Sequence, residues 1–73
     1  MDSDAILAPL VDMVDQWYEG WGRGPTQDAM RDASIYLKAL PPHHPHITAT
    51  PLPDGKVQLA WTRYNGEVEL RDF

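Results

Sequence analysis

The sequence predicts an α+β fold, with two N-terminal helices packed on one face of a three-stranded antiparallel β-meander. Three observations carry the prediction: the apolar period changes from 3.6 to two partway along the chain, a Gly/Pro connection separates two helical stripes, and two turn sequences divide the alternating segments. Leu7, Leu10, Val14, Trp17 and Trp21 recur at intervals of three and four, with Ile6, Val11, Met13 and Tyr18 widening the stripe. That spacing predicts an amphipathic helix over about residues 4–19, capped by Ser3 or Asp4. Pro9 is discordant, because proline inside a helix loses a hydrogen bond and crowds the preceding turn at a cost of about 3 kcal/mol. A kink or a late start is therefore expected there.

Gly20, Gly22, Gly24 and Pro25 end the first helix in a tight connection, and Pro25 suits the opening turn of a second helix over about residues 25–40. Its inward stripe is Met30, Ala33, Leu37 and Leu40. Pro41 disfavours helical geometry in the residue before it, so the helix stops there and a Pro/His linker, residues 41–46, follows.

Strands are expected over about residues 47–52, 56–63 and 67–72, with 56–63 central. Pro53-Asp54-Gly55 reads as a three-residue loop with Gly in the left-handed position. This register sets Ile47, Ala49 and Pro51 opposite Trp61, Leu59 and Val57 on the buried face. Asn65-Gly66 reads as a two-residue hairpin turn that pairs Tyr64 with Glu67 and Trp61 with Leu70. The core face is then Val57, Leu59, Trp61, Val68 and Leu70, while Tyr64 and Phe73 join Thr48, Thr50 and Thr62 on the far face.

Seventy-three residues read as one domain (1–73), which buries only about 60% of the surface its unfolded form exposes. No cysteine is present, so disulfides cannot supply the deficit, and a partner or a homodimer is the remaining route. The same absence fits a reducing, cytoplasmic setting. Met1 leads into Asp2 and Asp4 rather than a basic leader, and no apolar run approaches membrane-span length. The formal charge of -5 is concentrated at one end: residues 1–22 hold Asp2, Asp4, Asp12, Asp15 and Glu19 with no Lys or Arg. Nucleic-acid binding requires a basic patch that the chain lacks, so the expected partner is a protein with a basic surface, without direct contact to nucleic acid or membrane.

The run Trp17-Tyr18-Glu19-Gly20-Trp21-Gly22, the helix end Ala39-Leu40-Pro41, and Pro53-Asp54-Gly55-Lys56-Val57-Gln58-Leu59-Ala60-Trp61 carry a resemblance. Together they are similar to a pattern in small bacterial and prophage proteins: Trp-[Asp/Glu]-Gly-[Tyr/Trp]-Gly, a helix ending Leu-Pro, then Pro-Asp-Gly-x-[Val/Ile]-x-Leu-x-Trp and a closing strand. The resemblance implies the fold and a bacterial or phage origin. It transfers no functional residues, because the group has no assigned activity. The chain departs from it at Tyr18, inserted before Glu19-Gly20, and at Ala60, where a charged residue is common.

Among chemistry-bearing groups, His43, His44 and His46 invite a metal. In an extended, Pro-bounded segment the adjacent pair points apart, and no cysteine completes a zinc set, so no metal or other cofactor is expected. The glycines before the second helix follow a helix rather than a strand, unlike phosphate-binding loops. Ser3 and Ser34 sit in no nucleophile motif, and no catalytic residues are assigned.

The sharpest feature is the stripe Asp4, Asp12, Asp15 and Glu19. On a continuous helix, with Ala8 between Asp4 and Asp12, the stripe advances by four, four, three and four residues, and its successive carboxylates from Asp12 to Glu19 would stand about 5–6 Å apart, near the phosphate spacing of a nucleic-acid strand. Trp17, Tyr18 and Trp21 exceed what so small a core needs, which points to an interface. The candidate partner-binding residues are thus Asp12, Asp15, Glu19, Trp21 and Tyr64. The expected function is that of a small acidic, non-enzymatic binding protein: a phage or mobile-element inhibitor of a basic nucleic-acid-handling complex, of anti-CRISPR or anti-restriction type. The alternative is an accessory or antitoxin-like protein-binding module.

Overall fold

The computed structural model describes residues 2–11, 13 and 22–73. The first helix, α1 (Ser3–Leu7), is capped by Asp2, whose Oδ1 accepts from the Ala5 amide at 3.2 Å. It passes directly into a 3-10 turn at Ala8–Leu10. Pro9 explains the change. It has no N–H to give the Ala5 carbonyl and its ring crowds that carbonyl, so the backbone tightens to three-residue bonds, Val11 to Ala8 at 3.3 Å and Met13 to Leu10 at 3.2 Å.

The single long helix among the described residues, α2 (Gln27–Ala39), starts at Thr26, whose Oγ1 accepts from the Ala29 amide at 3.1 Å. Pro25 therefore lies before the cap rather than in the first turn. Asp28 in the opening turn and Lys38 in the last complement the helix dipole. Leu40, held extended by the following proline, ends it. Ala29, Ala33 and Leu37 are its buried residues, flanked by half-buried Met30 and Leu40.

The sheet is antiparallel in the order β1 (Thr48–Pro51), β2 (Val57–Thr62), β3 (Val68–Asp72). In the first hairpin Ala49 faces Leu59 and Pro51 faces Val57, the register that the three-residue Pro-Asp-Gly loop requires. Gly55 takes φ +89° there, and Asp54 Oδ1 accepts from the Lys56 amide at 3.0 Å. The segment entering α2 is stitched to this loop. The Arg23 amide donates to the Pro53 carbonyl at 2.6 Å and the Thr26 amide to the Gly55 carbonyl at 3.0 Å. Val57, Leu59 and Trp61 pack with Ile47 against α2 and against Leu7 and Leu10 of the N-terminal turns. Complete burial of Leu37, Ile47, Val57 and Leu59 contributes about 1.5–3 kcal/mol each.

Two expectations are corrected. The arrangement of two N-terminal helices covering one sheet face is not what forms: a five-residue helical turn and its 3-10 extension lie beside α2 and β1, and among the described helices only α2 packs along the central strand. The α+β class stands, but Pro9 ends the first helix early. The second hairpin is also one residue out of the expected register. Its loop is Tyr64-Asn65-Gly66, closed by Arg63 N–H to Glu67 O at 2.7 Å and Gly66 N–H to Arg63 O at 2.9 Å, with Gly66 at φ +91°. Trp61 consequently faces Glu69 and Ala60 faces Leu70. A one-residue shift exchanges the two faces of a strand. Val68 and Leu70 are exposed on the outer face, whereas Glu69, Arg71 and Phe73 lie on the helix side.

Candidate protein-binding groove

The register of β3 brings aromatic side chains of α2, β2 and the C-terminal end together on one surface. Among the described residues, the helix-side face of β3 is covered by side chains, Tyr36 of α2 foremost. Tyr36, half-buried on α2, places its ring 6.3 Å from that of Trp61 and 5.2 Å from that of Phe73. Both separations suit offset or tilted aromatic pairs, which contribute about 0.5–1.5 kcal/mol beyond burial. The Arg71 guanidinium stands 4.9 Å from the Tyr36 centroid and 5.7 Å from that of Phe73, an exposed cation–π arrangement.

The Pro/His segment closes the other side. Pro41 O accepts from the His44 amide at 3.1 Å, and this turn aims the His44 ring edge-on at Trp61, 5.3 Å between centroids. His44 Nδ1 lies 2.8 Å from the Pro45 carbonyl, a contact in which the nitrogen must donate. Tyr64, on the second hairpin loop, donates its hydroxyl to the His43 carbonyl at 2.7 Å and so ties loop to linker, while 85% of the residue stays exposed. An Arg63–Glu69 ion pair stands beside it. The result is an open groove of about 490 Å³ walled by Tyr36, His44, Trp61 and Tyr64 with Arg63 and Glu69. Aromatic walls and a few polar groups suit recognition of another protein.

Of the residues singled out from sequence, Tyr64 is in this groove, but on the helix side of the sheet and not on the far face with Thr48, Thr50 and Thr62. Phe73 moves with it. Asp12, Asp15, Glu19 and Trp21, with Trp17 and Tyr18, lie outside the described residues. Asp4 is exposed on α1, and because α-helical geometry ends at Leu7, no continuous α-helical stripe runs from Asp4 past Pro9. Among the described residues no cluster of three or more metal-ligating side chains occurs. Ser34 donates to Ser3 at 3.3 Å, which partners the buried hydroxyl where α1 meets α2. Tyr36 and Arg71 carry no role in the sequence reading, which weighs His44 only as a metal ligand and sets Phe73 on the far face of the sheet. Tyr36 had a signal, since it stands three residues after Ala33 and four before Leu40.

No protein-family model, curated protein or solved structure matches the chain. No helix among the described residues is long and apolar enough to cross a membrane.

Proposed function

We propose that this chain is a small acidic, non-enzymatic binding protein that docks a basic protein partner through the aromatic groove. The observation that supports the reading most is Tyr64, a large amphipathic side chain that is fully presented yet already immobilised by its bond to His43 O. A preformed anchor loses little conformational entropy on binding, and exposed aromatics of this kind are enriched among residues that dominate interface energetics. The charge of -5 complements it by steering a positively charged partner toward the protein. Basic nucleic-acid-handling complexes fit that requirement. An inhibitor carried by a phage or mobile element, of anti-CRISPR or anti-restriction type, is the setting that size, acidity and the prophage resemblance favour.

Binding kinetics against purified CRISPR effector and restriction complexes test this. Tyr64→Ala is expected to weaken binding about 30-fold through faster dissociation, as loss of a central aromatic anchor does. Combined Asp12→Asn, Asp15→Asn and Glu19→Gln substitution is expected to slow association and flatten its salt dependence while leaving dissociation nearly unchanged. Wild-type dissociation by the Tyr64→Ala variant would exclude the groove as the contact surface.

A further inference from the structure

The free edge of β3 is built to pair with the same edge of a second copy of this chain, and we propose that the protein forms a two-fold symmetric dimer through it. Within the sheet β3 neighbours only β2, and the one described element that touches it, α2 through Tyr36 over Arg71, lies on its face and not along its outer edge. Among the described residues its other side has no partner strand, and such an edge is the template on which strands add. The opposite edge of the sheet is blunted: β1 is four residues long, carries Pro51 without an N–H, and has the N-terminal turns beside it.

Which groups face outward on β3 follows from the ladder. Val57 and Phe73 exchange both backbone bonds, at 3.0 and 2.8 Å, and Arg63 donates to Glu67. Hydrogen-bonded and non-bonded pairs alternate along an antiparallel ladder. Residues 67, 69, 71 and 73 therefore bond inward to β2, and Val68, Leu70 and Asp72 turn their N–H and C=O groups to the free edge. A symmetric antiparallel pairing that uses those groups can be centred on any residue from Val68 to Asp72, on a hydrogen-bonded pair at 68, 70 or 72 or on a non-bonded pair at 69 or 71.

Charge selects among these centres, because Glu69 or Arg71 placed at the centre would face its own like charge in the second copy. Centring on Val68 sets Glu67 against Glu69 of the second copy, and centring on Asp72 sets that carboxylate against itself. Centring on Leu70 places Glu69 opposite Arg71 of the second copy twice over, Leu70 against Leu70, and Val68 beside Asp72, which Gln58 already holds at 3.2 Å. The sequence Val68-Glu69-Leu70-Arg71-Asp72 is thus self-complementary in one register only. That register joins the exposed Val68 and Leu70 of both copies, 66% and 61% accessible in the single chain, into one outer-face patch. A domain of this size, without disulfides, gains stability from such association.

Sedimentation velocity across a concentration series and amide hydrogen exchange test the proposal. The unsubstituted protein is expected to dimerise, with the Val68, Leu70 and Asp72 amides slowing in exchange as concentration rises. Glu69→Arg and Arg71→Glu each put like charges at both symmetric positions and should weaken dimerisation about tenfold or more. Mixed in equal amounts they should recover it, because each supplies the charge that the other lacks. A protein that stays monomeric throughout, or folded variants whose mixture gains nothing, overturns the proposal. Should either variant fail to fold, the concentration dependence of the three amides in the unsubstituted protein decides the matter alone.

Discussion

Gly55 and Gly66 form a matched pair that measures how strongly the segment leading into α2 is clamped to the first hairpin. Both occupy the left-handed position of a three-residue loop, at φ +89° and +91°. Alanine at either position pays a backbone penalty of about 1–2 kcal/mol, partly offset by the smaller entropy of its unfolded chain. At Gly66 nothing else is added, because no atom lies within 4 Å of the new Cβ. At Gly55 the Cβ would stand 3.1 Å from Thr26 Cγ2, with Gly24 O at 3.5 Å and Arg23 Cβ at 3.6 Å closing other directions. Thr26 would have to give way, and it carries both the bond to Gly55 O and the cap on Ala29. Each of those is worth about 1 kcal/mol. Gly55→Ala should therefore cost about 2–4 kcal/mol, some 1–2 kcal/mol more than Gly66→Ala, a further drop in Tm of about 5–15 °C by calorimetry. Equal losses from the two substitutions would refute the clamp.

Two further predictions address the sheet and the histidines. Leu70→Thr, compared at a dilution that keeps the chain monomeric, should change stability by no more than about 0.5 kcal/mol because the side chain is exposed, whereas Trp61→Ala should cost about 3–5 kcal/mol. Denaturant titration checks both, and a large loss at Leu70 would restore the two-residue turn. Chelator should leave Tm unchanged, and a loss of folding that zinc reverses would make His43, His44 and His46 ligands after all.

The sequence carried the sheet more clearly than the helices. The first hairpin was readable because Leu52-Pro53-Asp54-Gly55-Lys56 specifies a three-residue loop. Arg63-Tyr64-Asn65-Gly66-Glu67 has the same chemistry, an Asx side chain that accepts from the amide two residues on and then a left-handed glycine, as the 3.0 Å contacts at Asp54 and Asn65 show. Asn-Gly taken alone favours the shorter turn, and that single residue reverses which face of β3 is buried. Pro9 was visible as a breaker, yet the apolar spacing on either side of it argued for one helix. Spacing alone does not reveal that Ala8–Leu10 tightens to 3-10 geometry. The groove was legible only as an isolated exposed tyrosine. Its other walls come from α2, the Pro/His segment, Trp61 of β2 and Glu69 near the start of β3, and they meet only once the register of β3 is fixed.

The docking role of the groove is tested most directly by NMR titration of the isotopically labelled protein with a basic partner complex. The account predicts that the largest perturbations fall on the Trp61 indole, the His44 and Tyr64 rings and the Arg63 side chain, with the outer-face residues Thr50 and Gln58 unaffected. Perturbations confined to the outer face, with the Trp61, His44 and Tyr64 signals unmoved at saturation, would contradict it.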